Sequence, residues 1–283
     1  MYDTVTFNKI FSKNIEIIFN KLIKEDFIDT QSNFFLVSKE RASKMCFQTF
    51  YPLIEYFNNF SETHFDFFFQ NTYLFIWSFF LDQSLDSLEN NIVKRIRSFQ
   101  ISSYLLLNYF EWLAKTHKSK LPIFYNYYKE QTNYLIIEKK WEFPQLYHLA
   151  YGSEENIYKK AVILLFPLDL NKRNLFICKP QILKDLFINY YSFLLLADDL
   201  VDINSDINSH CLTYPIAFYF KLKGKLPRSS EDFVSILPHF IESLQKFLDN
   251  IKNLEISISK NSSIINNTII NIKGKLNKAG IKI

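Results

Sequence analysis

The chain has 283 residues, 48% hydrophobic and 22% charged, enough apolar matter for a sizeable core and too much for a disordered chain. Four glycines are too few for the Gly-rich phosphate turns of a doubly wound α/β fold or the tight turns of a many-stranded β fold. A net charge of +4 with dispersed lysines lacks the concentrated basic face of a nucleic-acid-binding protein, and three scattered cysteines (Cys46, Cys178, Cys211) support neither a disulfide framework nor a paired-Cys zinc site, so a reducing cytoplasm is the expected location.

Residues 1–14 show no signal-peptide core or cleavage site. Residues 7–28 place apolar side chains three and four apart, which predicts an amphipathic helix. A second helix is expected over 36–59, kinked or divided at Pro52. Residues 64–81 are apolar almost all round, the pattern of a central buried helix, and continue through Asp82 and Asp86 to about Asn90. Further helices are predicted over 92–116 and 123–140, separated by a turn at 117–122, with a break around Pro144. Residues 153–166 open on Ser153 with Glu154 and Glu155 in the first turn, a helix start. A loop follows over 167–180, then a strongly apolar helix over 181–204 and helices over 212–222 and 230–253. No apolar run is long enough for a stable membrane span. The whole reads as one all-α domain over 1–255, an antiparallel helical bundle around a central apolar cavity, with 256–283 a weakly structured or helical tail.

Two segments share one design. YLFIWSFFLDQSLDSLEN carries Asp82 and Asp86; YYSFLLLADDLVDINSD carries Asp198, Asp199, Asp202 and Asp206. In each, an apolar helix ends in acids spaced i, i+4, which stand about 6 Å apart along one helix face and repel. A solvated helix end is one explanation. A divalent-metal site of oxygen ligands is the other, and it accounts better for two such clusters following the two most apolar helices. With Mg²⁺ bound, an acidic rim reverses sign and grips phosphates. Phe75, Phe79, Tyr190 and Phe193 lie before the acids as candidate cavity walls, able to accept a prenyl chain and to stabilise a carbocation by cation–π attraction. Lys159, Lys160, Arg95 and Arg97 are candidate phosphate-binding cations, each with a solvated surface face as its alternative.

DDLVD at 198–202, preceded by FLLLA and followed by INSD, resembles the second Asp-rich motif of the trans-isoprenyl diphosphate synthases. LDQSLD at 81–86 is similar to the first motif of head-to-head synthases of the squalene and phytoene type. The resemblance covers roughly residues 36–220 and implies the class I isoprenoid synthase superfamily. It implies a helical bundle around a large cavity, Mg²⁺ as cofactor, and metal ligands at Asp82, Asp86, Asp198, Asp199, Asp202 and Asp206. Gln83 stands where chain-elongating enzymes carry an Asp, and their Arg-Arg-Gly is missing. The implied activity is therefore a terpene synthase that ionises an allylic isoprenyl diphosphate to a terpene, cyclised or not, with Asp82, Asp86, Asp198 and Asp202 catalytic. An elongating or head-to-head prenyltransferase is the second reading, and a noncatalytic lipid-binding or partner subunit the third. A homodimer is left open.

Overall fold

The computed structural model describes residues 4–25, 27, 33–58, 64–85, 92–170 and 175–283. Among these the fold is all-α: eleven α-helices, several 3-10 segments of which the longest is Glu154–Leu170, and one isolated bridge between Phe57 and Phe176. The chain divides into two compact units, residues 1–122 with 169–177, and residues 123–168 with 178–283.

The first unit is built on α3 (Phe65–Leu85). Its side chains are buried on every side, from Phe68 through Tyr73–Trp77 to Phe80, as an apolar surface without a polar face requires. Against it pack α1 (Thr4–Lys24), α2 (Asn33–Thr49) and α4 (Ile92–Thr116). Phe11, Ile15, Ile18, Phe19 and Leu22 of α1 are buried at the helical period, so that stripe is a core face. Pro52 does divide the second helical region: it opens a 3-10 segment, Tyr51–Tyr56, because it fixes φ and lacks the N–H a continuing α-helix needs. Rings fill this core. Phe50 stacks on Phe75 at 4.4 Å, and Phe57 meets Phe68 at 5.1 Å and Phe176 at 4.8 Å. The bridge is held by Asn58 N–H to Leu175 O and Ile177 N–H to Tyr56 O, both 2.9 Å. The buried Tyr109 hydroxyl donates to Asn71 Oδ1 at 3.0 Å, so the polar atoms joining α4 to α3 satisfy each other.

The second unit is built on α7 (Pro180–Val201), with Pro180 in its first turn, where a missing N–H costs nothing. It packs against α10 (Leu237–Ile258), α11 (Ser263–Lys278) and α9 (Tyr214–Lys223), and continues into the short α8 (Ile203–Asn208). The unit also holds α5 (Leu121–Glu138) and α6 (Pro144–Tyr151), which packs on α9. Residues 263–278 of the tail form a well-packed helix: Ile265, Ile269, Ile272 and Leu276 are buried, and the Ser262 hydroxyl accepts the Ile265 N–H at 3.1 Å as an N-cap. The region expected as a helix over 153–166 is a 3-10 run, Glu154–Leu170, interrupted at Ala161 (φ −124, ψ 21). Glu154 ties this run to α10, accepting from the Ser243 hydroxyl at 2.5 Å and from the Lys246 ammonium. Among the described residues no helix is long and apolar enough to cross a membrane.

Candidate functional site

The acids after the most apolar helix of the second unit separate into two tiers, and the cause is helical geometry. Four residues turn a helix by about 400°, so a stripe at i, i+4, i+8 creeps about 40° round the axis at each step. The backbone stays helical through this stretch: Asp202 N–H donates to Asp198 O and Asp206 N–H to Asp202 O, both at 2.9 Å. Asp198 and Asp202 are therefore exposed, Asp206 is half-buried, and Asp199, about 100° from Asp198, is buried at 5% exposure.

Buried carboxylates need partners. Lys160 supplies one charge for two acids: its Nζ lies 3.0 Å from Glu138 Oε1 and 3.7 Å from Asp199 Oδ1. Glu138, at the end of α5, is 1% exposed, and its Oε2 has no hydrogen-bond partner. One cation cannot neutralise this many acids, and the carboxyls of Asp199, Asp202 and Asp206 are pushed upward. Burial pushes the Asp199 carboxyl well above the ordinary carboxylate range; Asp206, Glu138 and Asp198 add to the rise and Lys160 opposes it. Burial likewise pushes Asp206 up to about 7, with Glu138, Asp202 and Asp198 adding and Lys160 opposing. Asp202 is raised by burial and by Asp198, against Lys275 and Lys160.

Lys160 reaches these acids because the chain breaks beside it. The break at Ala161 frees backbone groups, and the buried Gln131 amide of α5 answers one of them, its Oε1 accepting the Ile163 N–H at 3.1 Å. Gln131, Tyr134 and Glu138 lie on one face of α5, at i, i+3 and i+7. Tyr134 is hydrogen-bonded to the Tyr147 hydroxyl, and burial raises both phenols well above their usual range. Leu212 N–H donates to Glu138 O at 2.6 Å and the Lys139 ammonium to Cys211 Sγ at 3.5 Å, which fastens the segment after α8 to the end of α5.

Of the other expected site residues, Lys159 turns to Glu130 of α5, at 3.0 Å, rather than to the acid cluster. Asp82 is exposed in the last turn of α3, in the first unit, and Asp86 lies outside the described residues. Arg95, also of the first unit, donates from Nε to Ser84 O at 3.3 Å and so caps the end of α3; Arg97 is half-buried. Phe75 is held in the ring stack with Phe50, and Phe79 is half-buried against Phe80 at 5.2 Å. Tyr190 and Phe193 are fully buried on α7, the Tyr190 side chain hydrogen-bonded to Thr268 of α11. Glu138, Gln131 and the tyrosine pair were invisible to motif reading. Their one signal is the polar stripe on α5, and a stripe alone does not tell an inward polar face from an outward one.

The end of α7 also borders a hollow of about 420 Å³ lined by Leu200, Val201, Ile203, Phe233, Val234 and Ile281, within the usual size range of small-molecule sites. Among the described residues no three acids, histidines or cysteines stand close enough to hold a metal ion between them. No protein-family model, curated protein or solved structure matches this chain.

Proposed function

We propose that this protein is a Mg²⁺-dependent class I terpene synthase that ionises an allylic isoprenyl diphosphate and releases diphosphate. The observation that carries the reading is the exposed Asp198–Asp202 pair at the end of the buried helix α7, backed by Lys160 and the inner acids. A carboxylate near a helix C-terminus opposes the helix dipole at a cost on the order of 0.5 kcal/mol, and two together also repel each other, so stability gives no reason to place them there.

The pair fits magnesium. Mg²⁺ keeps several waters and is usually held by one or two carboxylates plus substrate phosphates, so a cage of three protein acids is not needed. When bound, it supplies Lewis-acid stabilisation of the charge that develops on departing diphosphate. Lys160 adds positive charge from the protein side and acts on Asp202 as well as on Asp199. Burial pushes the Asp199 and Asp206 carboxyls upward, which favours their neutral forms and limits the negative charge behind the pair. Phe193 and Tyr190, about 7.5 and 12 Å along the axis before Asp198, are packed in the core, so in this reading the dry surface nearest the pair is the hollow at the end of α7 lined by Leu200, Val201 and Ile203. Asp82 enters the reading through its sequence motif, and its test is mutational.

The deciding experiment incubates the protein with allylic prenyl diphosphates of increasing length and Mg²⁺, with and without isopentenyl diphosphate, and measures released diphosphate and organic products. A hydrocarbon or alcohol formed without isopentenyl diphosphate is the expected result. A longer diphosphate formed only with it would make the protein a prenyltransferase. Asp198→Ala and Asp202→Ala should each lower diphosphate release by about 100-fold or more while the protein stays folded, since both side chains are exposed. Parent-like release from both variants would end the catalytic reading.

A further inference from the structure

Helices α7 and α11 lie side by side and run the same way. The Tyr190 side chain is hydrogen-bonded to Thr268, and eleven residues further along each helix Val201 and Ala279 line the same hollow. At about 1.5 Å per residue the two helices keep step from one contact to the other. Lys275 stands seven residues after Thr268, and Asp198 eight after Tyr190. The two therefore lie within about 1.5 Å of one level along the helix pair.

Direction round the axis matters as much as level. Seven residues return a helix to within about 20° of its starting face, so Lys275 shares the face by which Thr268 meets α7. On α7, Asp198 and Asp202 turn about 80° and 120° away from the face of Tyr190, and Asp199 about 180°. Lys160, beside Asp199, therefore lies on the side of α7 away from α11. The Asp198–Asp202 pair stands between two lysines, Lys160 on one flank and Lys275 on the other.

The two cations are held differently. Lys160 is fixed by Glu138 at 3.0 Å. Lys275 is exposed, and among the described residues no ion pair holds its ammonium. Its charge nevertheless opposes the rise of the Asp202 carboxyl. An ammonium that faces an acid pair without touching it keeps its donors for an anion carried by a metal on those acids. The carboxylates take the metal and the ammonium takes the anion.

Resting on the terpene synthase reading, we propose that Lys275 binds the substrate diphosphate from the side opposite Lys160, which makes α11 part of the site. Removing this lysine lifts a repulsion from Mg²⁺ and takes an attraction from diphosphate, so the two ligands should respond with opposite signs.

Calorimetric titration tests this with two probes, Mg²⁺ alone and inorganic diphosphate at saturating Mg²⁺. Lys275→Gln should bind Mg²⁺ as tightly as the parent or up to about twofold tighter, because water and salt screen an exposed charge at this range. It should bind diphosphate about tenfold more weakly, the loss of one charge-assisted hydrogen bond. Lys275→Arg, which keeps a phosphate donor, should restore that binding. Lys273→Gln removes the same charge from the same helix but from the groove against α10, and should match the parent with both probes. Since Lys275 is exposed, its replacement should leave the helical circular dichroism unchanged.

Parent-like diphosphate binding by Lys275→Gln, with Mg²⁺ binding kept, overturns the assignment and leaves the metal reading standing. An equal loss of both probes overturns it too, because Lys275 would then shape the acid pair. An equal loss in Lys273→Gln does the same by reducing the effect to net charge. A parent that binds no diphosphate ends the assignment, and if it also ignores Mg²⁺ the terpene synthase reading falls with it.

Discussion

Lys160 is the residue whose surroundings most constrain its neighbours. Replacing it with Met leaves Glu138 buried beside Asp199 with no cation, and an uncompensated buried charge costs about 3–5 kcal/mol. Denaturant unfolding of Lys160→Met should show a loss of that order, and adding Glu138→Leu should recover part of it; a loss below about 1 kcal/mol would mean that the pair carries little. Asp206 makes the site sensitive to pH. Its folded-state carboxyl titrates near 7, against 3.8 as a free side chain, so between those values the folded protein holds a proton that the unfolded chain has shed. Stability should therefore fall as pH rises through that window and level off above it. Thermal melts from pH 5 to pH 8 should show a decline in the parent that is shallower in Asp206→Asn. Every acid of this cluster at 198–206 stands out in the sequence as a metal candidate, but their division into exposed and buried tiers does not, because it depends on which way the face of α7 creeps. Glu138 was unreadable for a related reason: a single glutamate at a helix end is ordinarily solvated.

Helices announced themselves where period and punctuation agree. The bounds of α4 match the expected 92–116, and α7 runs Pro180–Val201 against the expected 181–204, because in both an apolar period holds over many turns, and Pro180 marks the start of α7. The segment Glu154–Leu170 misled. Its capping residues suggested an ordinary helix, yet its apolar run from Ala161 to Phe166 has no polar face and leads to Pro167, and tertiary packing drew it into 3-10 turns around a break. Helix α11 was readable in part: Ile265, Ile269, Ile272 and Leu276 keep a clean helical period, diluted by the Asn, Ser and Lys around them. Leu276 is fully buried, so Leu276→Ala should cost about 2–5 kcal/mol in unfolding free energy, whereas Ile270→Ala, at an exposed position of the same helix, should stay within about 0.5 kcal/mol. Equal effects at the two positions would show that α11 does not pack as described.

At the scale of the whole molecule, the all-α class followed from the scarcity of glycine and the long apolar runs, and the described residues agree. The aromatic surplus is more equivocal than composition suggested. Much of it is spent on ring-on-ring contacts such as Phe50 with Phe75 and Phe57 with Phe176, so a high Phe and Tyr count does not by itself describe a cavity. The proposed chemistry makes a demand on the entire fold that needs no substrate. A cation seated on Asp198 and Asp202 binds the folded state and not the unfolded one, and must raise the melting temperature as its concentration rises. Millimolar Mg²⁺ should stabilise the parent more at pH 8 than at pH 5, where protons compete for the acids, and should leave Asp198→Ala with Asp202→Ala unmoved. A parent that ignores Mg²⁺ at both pH values would count against the metal site before any product is sought.

The break at Ala161 has one more consequence. The Ile163 N–H that it frees depends on a side chain of another helix, so a change made in α5, Gln131→Leu, should be felt 32 residues away as faster amide exchange at Ile163.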